Sequence, residues 1–145
     1  MNTTGNDYLE MEVLTAIPQK LQLMLIEGVL RFGNQARQHW KAGDIPAASE
    51  ALIRTQEIMA EIIGNLNPQS DPDLVRRMAY VYLFVNSRLI EANFERSEAK
   101  LDEALRIMTI ERETWRLACQ QAVGAKPSLA TDATSPTTFG HSFVA

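Results

Sequence analysis

The sequence predicts an all-α protein: an antiparallel up-and-down four-helix bundle with an N-terminal arm and a disordered C-terminal tail. Apolar residues recur at spacings of three and four, and Pro, Asp and Gly interrupt this pattern between four long segments. Strand signals are nearly absent, because no stretch alternates cleanly between apolar and polar residues. Helices of about 22 residues would each be about 33 Å long, and short connections between them favour antiparallel neighbours.

The first two helices are predicted over residues 18–41 and 46–66. Pro18 suits a first-turn position, and the first helix should stop at Gly43-Asp44, where Asp44 can cap the second helix. The apolar stripe of the second helix consists of Ala48, Leu52, Met59, Ile62, Ile63 and Leu66.

The third and fourth helices are predicted over residues 72–94 and 98–123. Asp71 is the expected N-cap of the third helix, with Pro72 at its first position. This helix has one apolar stripe through Leu74, Met78, Val81 or Tyr82, Val85, Leu89 and Ala92, and a second through Val75, Ala79, Leu83 and Ile90. Two stripes imply contacts on two sides, either inside a bundle or with an external partner. The fourth helix has its seam at Leu101, Leu105, Met108, Trp115, Ala118 and Ala122.

The two ends of the chain differ in composition from the bundle. Residues 1–17 form an arm or short extra helix with several apolar anchors. Residues 124–145 are rich in Ser, Thr, Ala, Pro and Gly without any period, which predicts disorder. Phe139 and Phe143 in this tail are candidates for a short binding motif, although a simply solvated tail is favoured by the composition.

Composition and charge exclude several classes of protein. The net charge is −4 and no block of basic residues occurs, which argues against nucleic-acid binding. The longest apolar stretch is interrupted by Glu27-Gly28 and is too short to span a membrane, and the N-terminus lacks a secretory signal. Cys119 is the single cysteine, so no intramolecular disulfide can form. A soluble cytoplasmic protein is therefore expected.

No catalytic, cofactor or metal motif is present. The sequence lacks the Glu-x-x-His pairs of di-metal bundles, phosphate-binding loops and Cys-x-x-Cys, so no enzyme, cofactor or metal site is predicted. The segment QHWKAGD at 38–44 resembles a histidine-phosphotransfer motif around His39, which gives an alternative signalling function. His39 lies near the predicted end of the first helix, however, whereas a phosphorylated histidine should be exposed in mid-helix.

The first helix is too apolar for one buried face, because Leu23, Met24, Leu25 and Ile26 are consecutive. Such surplus apolar surface is core when another helix covers it, and a binding surface when it stays exposed. The pattern alone favours core, since central helices of bundles look the same.

The order of motifs resembles that of the flagellin-specific export chaperones. Tyr8, Val13, Thr15-Ala16, Pro18, Lys20-Leu21 and Met24-Leu25-x-x-Gly28 are similar to the opening of that family. SRLIEAN at 87–93 and LDEALRIMTIERETW at 101–115 resemble its later segments, so the similarity covers about residues 8–118. The chain departs from the family pattern at Ile17, where Ser is usual, and at Ile26-Glu27, where Tyr-Asp is usual.

The resemblance implies a cytoplasmic chaperone that binds the C-terminal segment of flagellin, prevents premature polymerisation and delivers the subunit to a component of the export gate. It implies that Tyr8 and Val13 belong to an arm that covers the groove, that Leu23, Met24 and Ile26 line it, and that Asn86 and Asn93 are candidates to bond the client backbone. For Tyr8 and Val13, simple anchoring of the arm is an equal alternative, and Asn93 is expected rather to cap the third helix. A monomer or a weak, helix-swapped homodimer is expected.

Overall fold

A computed structural model describes residues 17–129 of the chain, with side chains described over 17–123. It contains four α-helices: α1 (Pro18–Lys41), α2 (Ile45–Gly64), α3 (Pro72–Glu95) and α4 (Glu98–Leu129). The predicted all-α fold is therefore confirmed.

The helix starts follow from local chemistry. The Asp44 carboxylate accepts a hydrogen bond from the Ala47 backbone N–H at 3.1 Å, and Asp71 accepts one from Leu74 at 3.4 Å. Each helix therefore has one of its unpaired N–H groups satisfied at the start. Ile17 stands at the N-cap of α1 and provides no side-chain hydrogen bond, so Pro18 alone marks that start.

The helices form a ring in which α1 packs against α2 and α4, and α3 packs against the same two helices. Contacts between distant residues show that neighbours are antiparallel. Asn65 at the end of α2 bonds the Gln22 side chain near the start of α1, and Arg37 near the end of α1 pairs with Asp102 near the start of α4. The core lies inside the ring and contains Trp115 and Tyr82 as its largest fully buried side chains.

The helix α4 continues six residues beyond its predicted end at Val123. Residues 124–129 are helical, although the sequence there contains Gly124 and Pro127. Proline removes one N–H, and the carbonyl that loses its partner belongs to Val123, on an exposed turn where water can replace the bond. The helix is thus six residues longer than predicted, and residues 130–145 lie outside the described part.

Two glycines set the spacing between α1 and its neighbours. A Cβ atom on Gly33 would lie 2.6 Å from Leu105 Cδ2 and 3.0 Å from Leu105 Cδ1, so α1 and α4 approach closely here. A Cβ atom on Gly28 would meet Ile58 Cδ1 at 3.2 Å, which is the far end of a flexible side chain. The approach of α1 to α2 at Gly28 is close, but the tighter contact is that of α1 with α4 at Gly33.

We expect Gly33→Ala to lower the free energy of unfolding by about 1–2 kcal/mol, because the new methyl group forces Leu105 to move within a packed core. The matched Gly28→Ala variant should stay within about 1 kcal/mol of the parent, since the gain in helix propensity offsets a small shift of Ile58. Urea denaturation followed by circular dichroism measures both. Greater destabilisation by Gly28→Ala than by Gly33→Ala would contradict this assignment.

Candidate functional site: an apolar face on the third helix

The outward face of α3 is apolar. Tyr80, Leu83, Ile90 and Phe94 are exposed to 75, 55, 47 and 90%, respectively. Their spacing of three, seven and four residues places them on one side of the helix, and we call them the α3 stripe. The core residues Tyr82, Val85, Leu89 and Ala92 of the same helix lie on the opposite side. The α3 stripe extends about 21 Å along the helix axis.

The α3 stripe is unusual for a helix at the rim of a bundle. Such a helix normally carries charged or polar side chains on its outer face, because only the inner face is covered. Here Ser87 interrupts the apolar row, Arg76 extends it, and the charged residues Arg77 and Glu91 flank it. A contiguous exposed apolar patch on a small protein marks a site of interaction with another apolar surface.

Asn86 lies at the margin of the α3 stripe. Its Oδ1 atom is buried and has no hydrogen-bond partner among the described residues. A buried acceptor without a partner costs about 1–3 kcal/mol, and because this atom is covered, a bound segment would reach it only if the Asn86 side chain turned outward.

Asn93 is half-buried on the same side of α3, seven residues after Asn86. The sequence suggested that Asn93 caps the third helix, but the cap lies at another residue. The helix ends at Glu95, and Arg96 takes the left-handed conformation with its N–H on the Ala92 carbonyl. A residue with positive φ at this position closes the helix in the way that glycine usually does.

Two of the three groove residues predicted on α1 are buried in the core of the bundle. Leu23 and Ile26 are 5 and 0% exposed and belong to the core, so their assignment to a binding groove is wrong. The reason is that α1 packs on both α2 and α4, which cover neighbouring sides of the same helix. Met24 is half-buried, and Tyr8 and Val13 lie outside the described residues.

A cluster of charges joins the end of α3 to the start of α4. Arg88 pairs with Glu91 at 2.6 Å and with Glu103 at 3.0 Å, and Lys100 pairs with Glu91 at 2.9 Å and Glu95 at 3.0 Å. Hydrogen bonds from Lys100 and Arg88 lower the pKa of the Glu91 carboxyl below its ordinary value. Partly exposed pairs of this kind contribute little stability singly, but the network fixes the end of α3 that carries Ile90 and Phe94.

Beneath the other half of the α3 stripe, Tyr82 connects α3 to α4. Its hydroxyl donates to Glu111 Oε1 at 2.5 Å and accepts from Trp115 Nε1 at 3.0 Å. Burial, the nearby Glu111 charge and the hydrogen bond to it raise the pKa of Tyr82 above its ordinary value. The helix that carries the α3 stripe is therefore fixed to α4 on its buried side.

The raised pKa of Tyr82 predicts a loss of stability in alkali. The folded state holds the phenolic proton more tightly than the unfolded state, so this stabilisation is complete below about pH 10 and decreases above it, by up to about 1.4 kcal/mol per pH unit. Urea unfolding at pH 9 to 11 should show a shallower decline for Tyr82→Phe than for the parent. Parallel declines in the two proteins would contradict the role given to Tyr82.

His39 does not meet the requirements of a phosphotransfer site. It lies in the last turn of α1 and is half-buried, next to a cavity of about 330 Å³ that also involves Phe32, Glu50 and Arg54. A phosphorylated histidine needs an exposed mid-helix position, so the alternative signalling function is not supported.

Within residues 17–129, no group of three or more His, Cys, Asp or Glu side chains could hold a metal ion. In the same part of the chain, none of the helices combines the length and apolarity that crossing a bilayer would require. The exposed apolar surface is the feature that most clearly calls for a function.

Sequence reasoning found half of the α3 stripe. The second apolar row through Leu83 and Ile90 was apparent from spacing, but Tyr80 and Phe94 were not assigned to it. Their signal was present, since positions 80, 83, 87, 90 and 94 follow a helical period with only Ser87 polar. Periodicity alone, however, could not show whether that row faces another helix or solvent.

Among the described residues, a four-helix bundle with an exposed apolar helix face is typical of proteins that bind an apolar segment of a partner. The comparisons identify the family. The family model described as "Flagellar protein FliS" matches residues 1–122, so the chain belongs to the FliS family.

Several curated relatives carry the name flagellar secretion chaperone FliS. The relative from Bacillus subtilis is 33% identical over 113 residues, which are 78% of this chain and 84% of that protein. The relative from Campylobacter jejuni is 29% identical over 115 residues, or 79% of this chain and 90% of that protein. The relative from Salmonella typhimurium is 24% identical over 109 residues, or 74 and 81% of the two chains.

Proposed function

We propose that the protein is a cytoplasmic flagellar export chaperone that binds the C-terminal segment of flagellin, prevents its premature polymerisation and delivers it to the export apparatus. The single observation that carries the proposal is the α3 stripe, which leaves four large apolar side chains exposed on one helix. Membership in a family whose curated relatives are named secretion chaperones supports it.

The dimensions of the α3 stripe suit a helical client. A stripe of about 21 Å corresponds to four helical turns, so it can contact apolar residues at positions i, i+3 or i+4, and i+7 of a bound amphipathic helix. Flagellin segments that polymerise through apolar helical faces would be shielded by such contacts. Asn86 is a further proposed contact at the margin; its Oδ1 is covered in the free protein, so the side chain would turn outward to accept a hydrogen bond from the client backbone.

Binding of this kind remains reversible. A client segment that is unfolded before binding loses conformational entropy when it becomes ordered, and this cost offsets much of the apolar gain. The complex is then specific without being permanent, which suits release at the export gate.

The N-terminal arm has a proposed role of its own. By resemblance to the family, Tyr8 and Val13 cover part of the client surface in the free protein and dock the chaperone at the export gate. Met24 and Asn93, both half-buried, are further proposed contacts at the edges of that surface.

Isothermal titration with the C-terminal peptide of flagellin from the same organism tests the proposal. We expect saturable one-to-one binding with a large negative heat-capacity change, because apolar surface is buried on both partners. Tighter binding by the Tyr8→Ala, Val13→Ala double variant would identify the arm as a cover. A scrambled peptide of identical composition serves as the control. Absence of binding by both the parent and the arm variant would overturn the proposed function.

A further inference from the structure

A second apolar surface follows the outer seam between α3 and α4. On α4, Ile110 and Leu117 are exposed to 61 and 46%, and a pocket of about 330 Å³ opens beside Leu117. On α3, a pocket of about 350 Å³ is lined by Arg76, Arg77, Tyr80 and Val81. Each pocket is lined by residues of one helix, and Tyr80 also belongs to the α3 stripe. The two pockets and Ile110 together are called the α3–α4 groove.

Helical geometry places both pockets on the same seam. Arg88 of α3 pairs with Glu103 of α4, which fixes the flanks on which the two helices face one another. Val81 and Arg77 precede Arg88 by seven and eleven residues, which is about two and three helical turns. They therefore lie on the same side of α3 as Arg88. Thr114 and Gln121 follow Glu103 by eleven and eighteen residues, which is about three and five helical turns. They therefore lie on the same side of α4 as Glu103. The hydrogen bond between Tyr82 and Trp115 sets the two pockets at a similar height along the bundle.

The end of α4 brings the remaining chain close to this seam. Because the two helices are antiparallel, α4 ends beside the start of α3, and Leu129 lies about 18 Å along the helix from Leu117. Phe139 follows Leu129 by ten residues, which can span up to about 33 Å. Phe139 can therefore reach the α3–α4 groove without strain, and so can Phe143.

The composition of residues 130–145 fits the groove. Phe139, Phe143 and Val144 are the large apolar residues of this segment, and Asp132 is its single acidic residue. The groove offers apolar walls with Arg76 and Arg77 at its rim. A guanidinium group stacks favourably on an aromatic ring, as Arg88 does on Phe84 at 4.8 Å in this protein.

Attachment to the same chain makes even weak binding effective. A connection of about ten residues within one chain gives an effective concentration in the millimolar range. A groove that would bind a free peptide of this sequence at only about 1 mM is then occupied for a large fraction of the time.

We propose that Phe139 and Phe143 of the C-terminal segment dock in the α3–α4 groove of the same chain. The segment lies beyond residue 122, where the match to the family ends. The docking involves no flagellin, so its failure would leave the proposed chaperone function untouched.

The test uses the full chain with p-benzoylphenylalanine in place of Phe139. Illumination of a dilute sample should produce an intramolecular cross-link, which mass spectrometry maps to residues 76–81 and 110–121. The same group in place of Ala130 is the control, because Ala130 directly follows Leu129, about 12 Å along the helix from Gln121, the groove residue nearest to it. Leu117→Ser should lower the cross-link yield about fivefold by removing an apolar wall of the groove. Val123→Ser, which changes an exposed residue outside the groove, should leave the yield unchanged.

Each other outcome overturns the docking. A cross-linked dimer whose yield rises with protein concentration would assign the groove to a second copy. Cross-links mapped to Ile90 and Phe94 would assign the segment to the α3 stripe instead. A yield no higher than that of the Ala130 control, or one insensitive to Leu117→Ser, would show that the segment does not occupy the groove.

Discussion

Replacement of Leu83 and Ile90 together by Asp is expected to weaken binding of the flagellin C-terminal segment by about 100-fold or more. The two side chains are 55 and 47% exposed at the centre of the α3 stripe, so they can be changed without opening the core. Each loses apolar contact with the client, and each new carboxylate must be desolvated when the client binds. Isothermal titration against the same peptide measures the effect.

The matched control is Val123→Asp, which places the same charge on an exposed apolar residue of α4, with 63% exposure. Its affinity should stay within about twofold of the parent, because a solvated charge remote from the client has little effect. Circular dichroism and the midpoint of thermal unfolding establish that the variants remain folded. Unchanged affinity of the folded Leu83→Asp, Ile90→Asp protein would remove the α3 stripe from the client surface.

Trp115→Ala is expected to lower the free energy of unfolding by about 3–5 kcal/mol, the largest single effect on stability predicted for this protein. The indole is fully buried between α3 and α4, and its Nε1 donates to the Tyr82 hydroxyl at 3.0 Å. Truncation therefore leaves a large cavity and removes a link between the two helices. Urea denaturation followed by circular dichroism at 222 nm measures the loss.

The second tryptophan provides the comparison. Trp40 is half-buried in the last turn of α1, so Trp40→Ala should cost only about 1–2 kcal/mol. The total free energy of unfolding of a domain of this size is about 5–15 kcal/mol. Trp115→Phe therefore serves as a milder variant should the alanine protein be unfolded. Equal losses for the two alanine variants would contradict the central position of Trp115.

The α3 stripe and the buried network beneath it have complementary roles. Tyr82, Trp115 and Glu111 hold α3 against α4 through their hydrogen bonds, and the charge cluster around Glu91 holds the other end. A rigid support keeps the exposed residues of α3 in a fixed arrangement before a partner arrives. Less conformational entropy is then lost on binding, which favours affinity.

The sequence by itself determined the number, order and approximate limits of the helices. Asp44 and Asp71 cap helices through bonds to residues three positions along the chain, and Pro18 and Pro72 fix the first turns. These effects act over one helical turn, so they can be read locally. Motif order over residues 8–118 also indicated the family to which the chain belongs.

Only the tertiary structure decided which apolar residues are available to a partner. Leu23 and Ile26 on α1 and Leu83 and Ile90 on α3 all belong to apolar rows on helices that pack against the same two neighbours. The first pair is buried and the second pair is exposed, because exposure depends on how each helix is rotated toward its neighbours. That rotation is set by contacts between distant residues, such as Gly33 with Leu105 and Tyr82 with Trp115. Helical periodicity records the spacing of apolar side chains but not what lies opposite them, so this part of the site could not be predicted from the sequence.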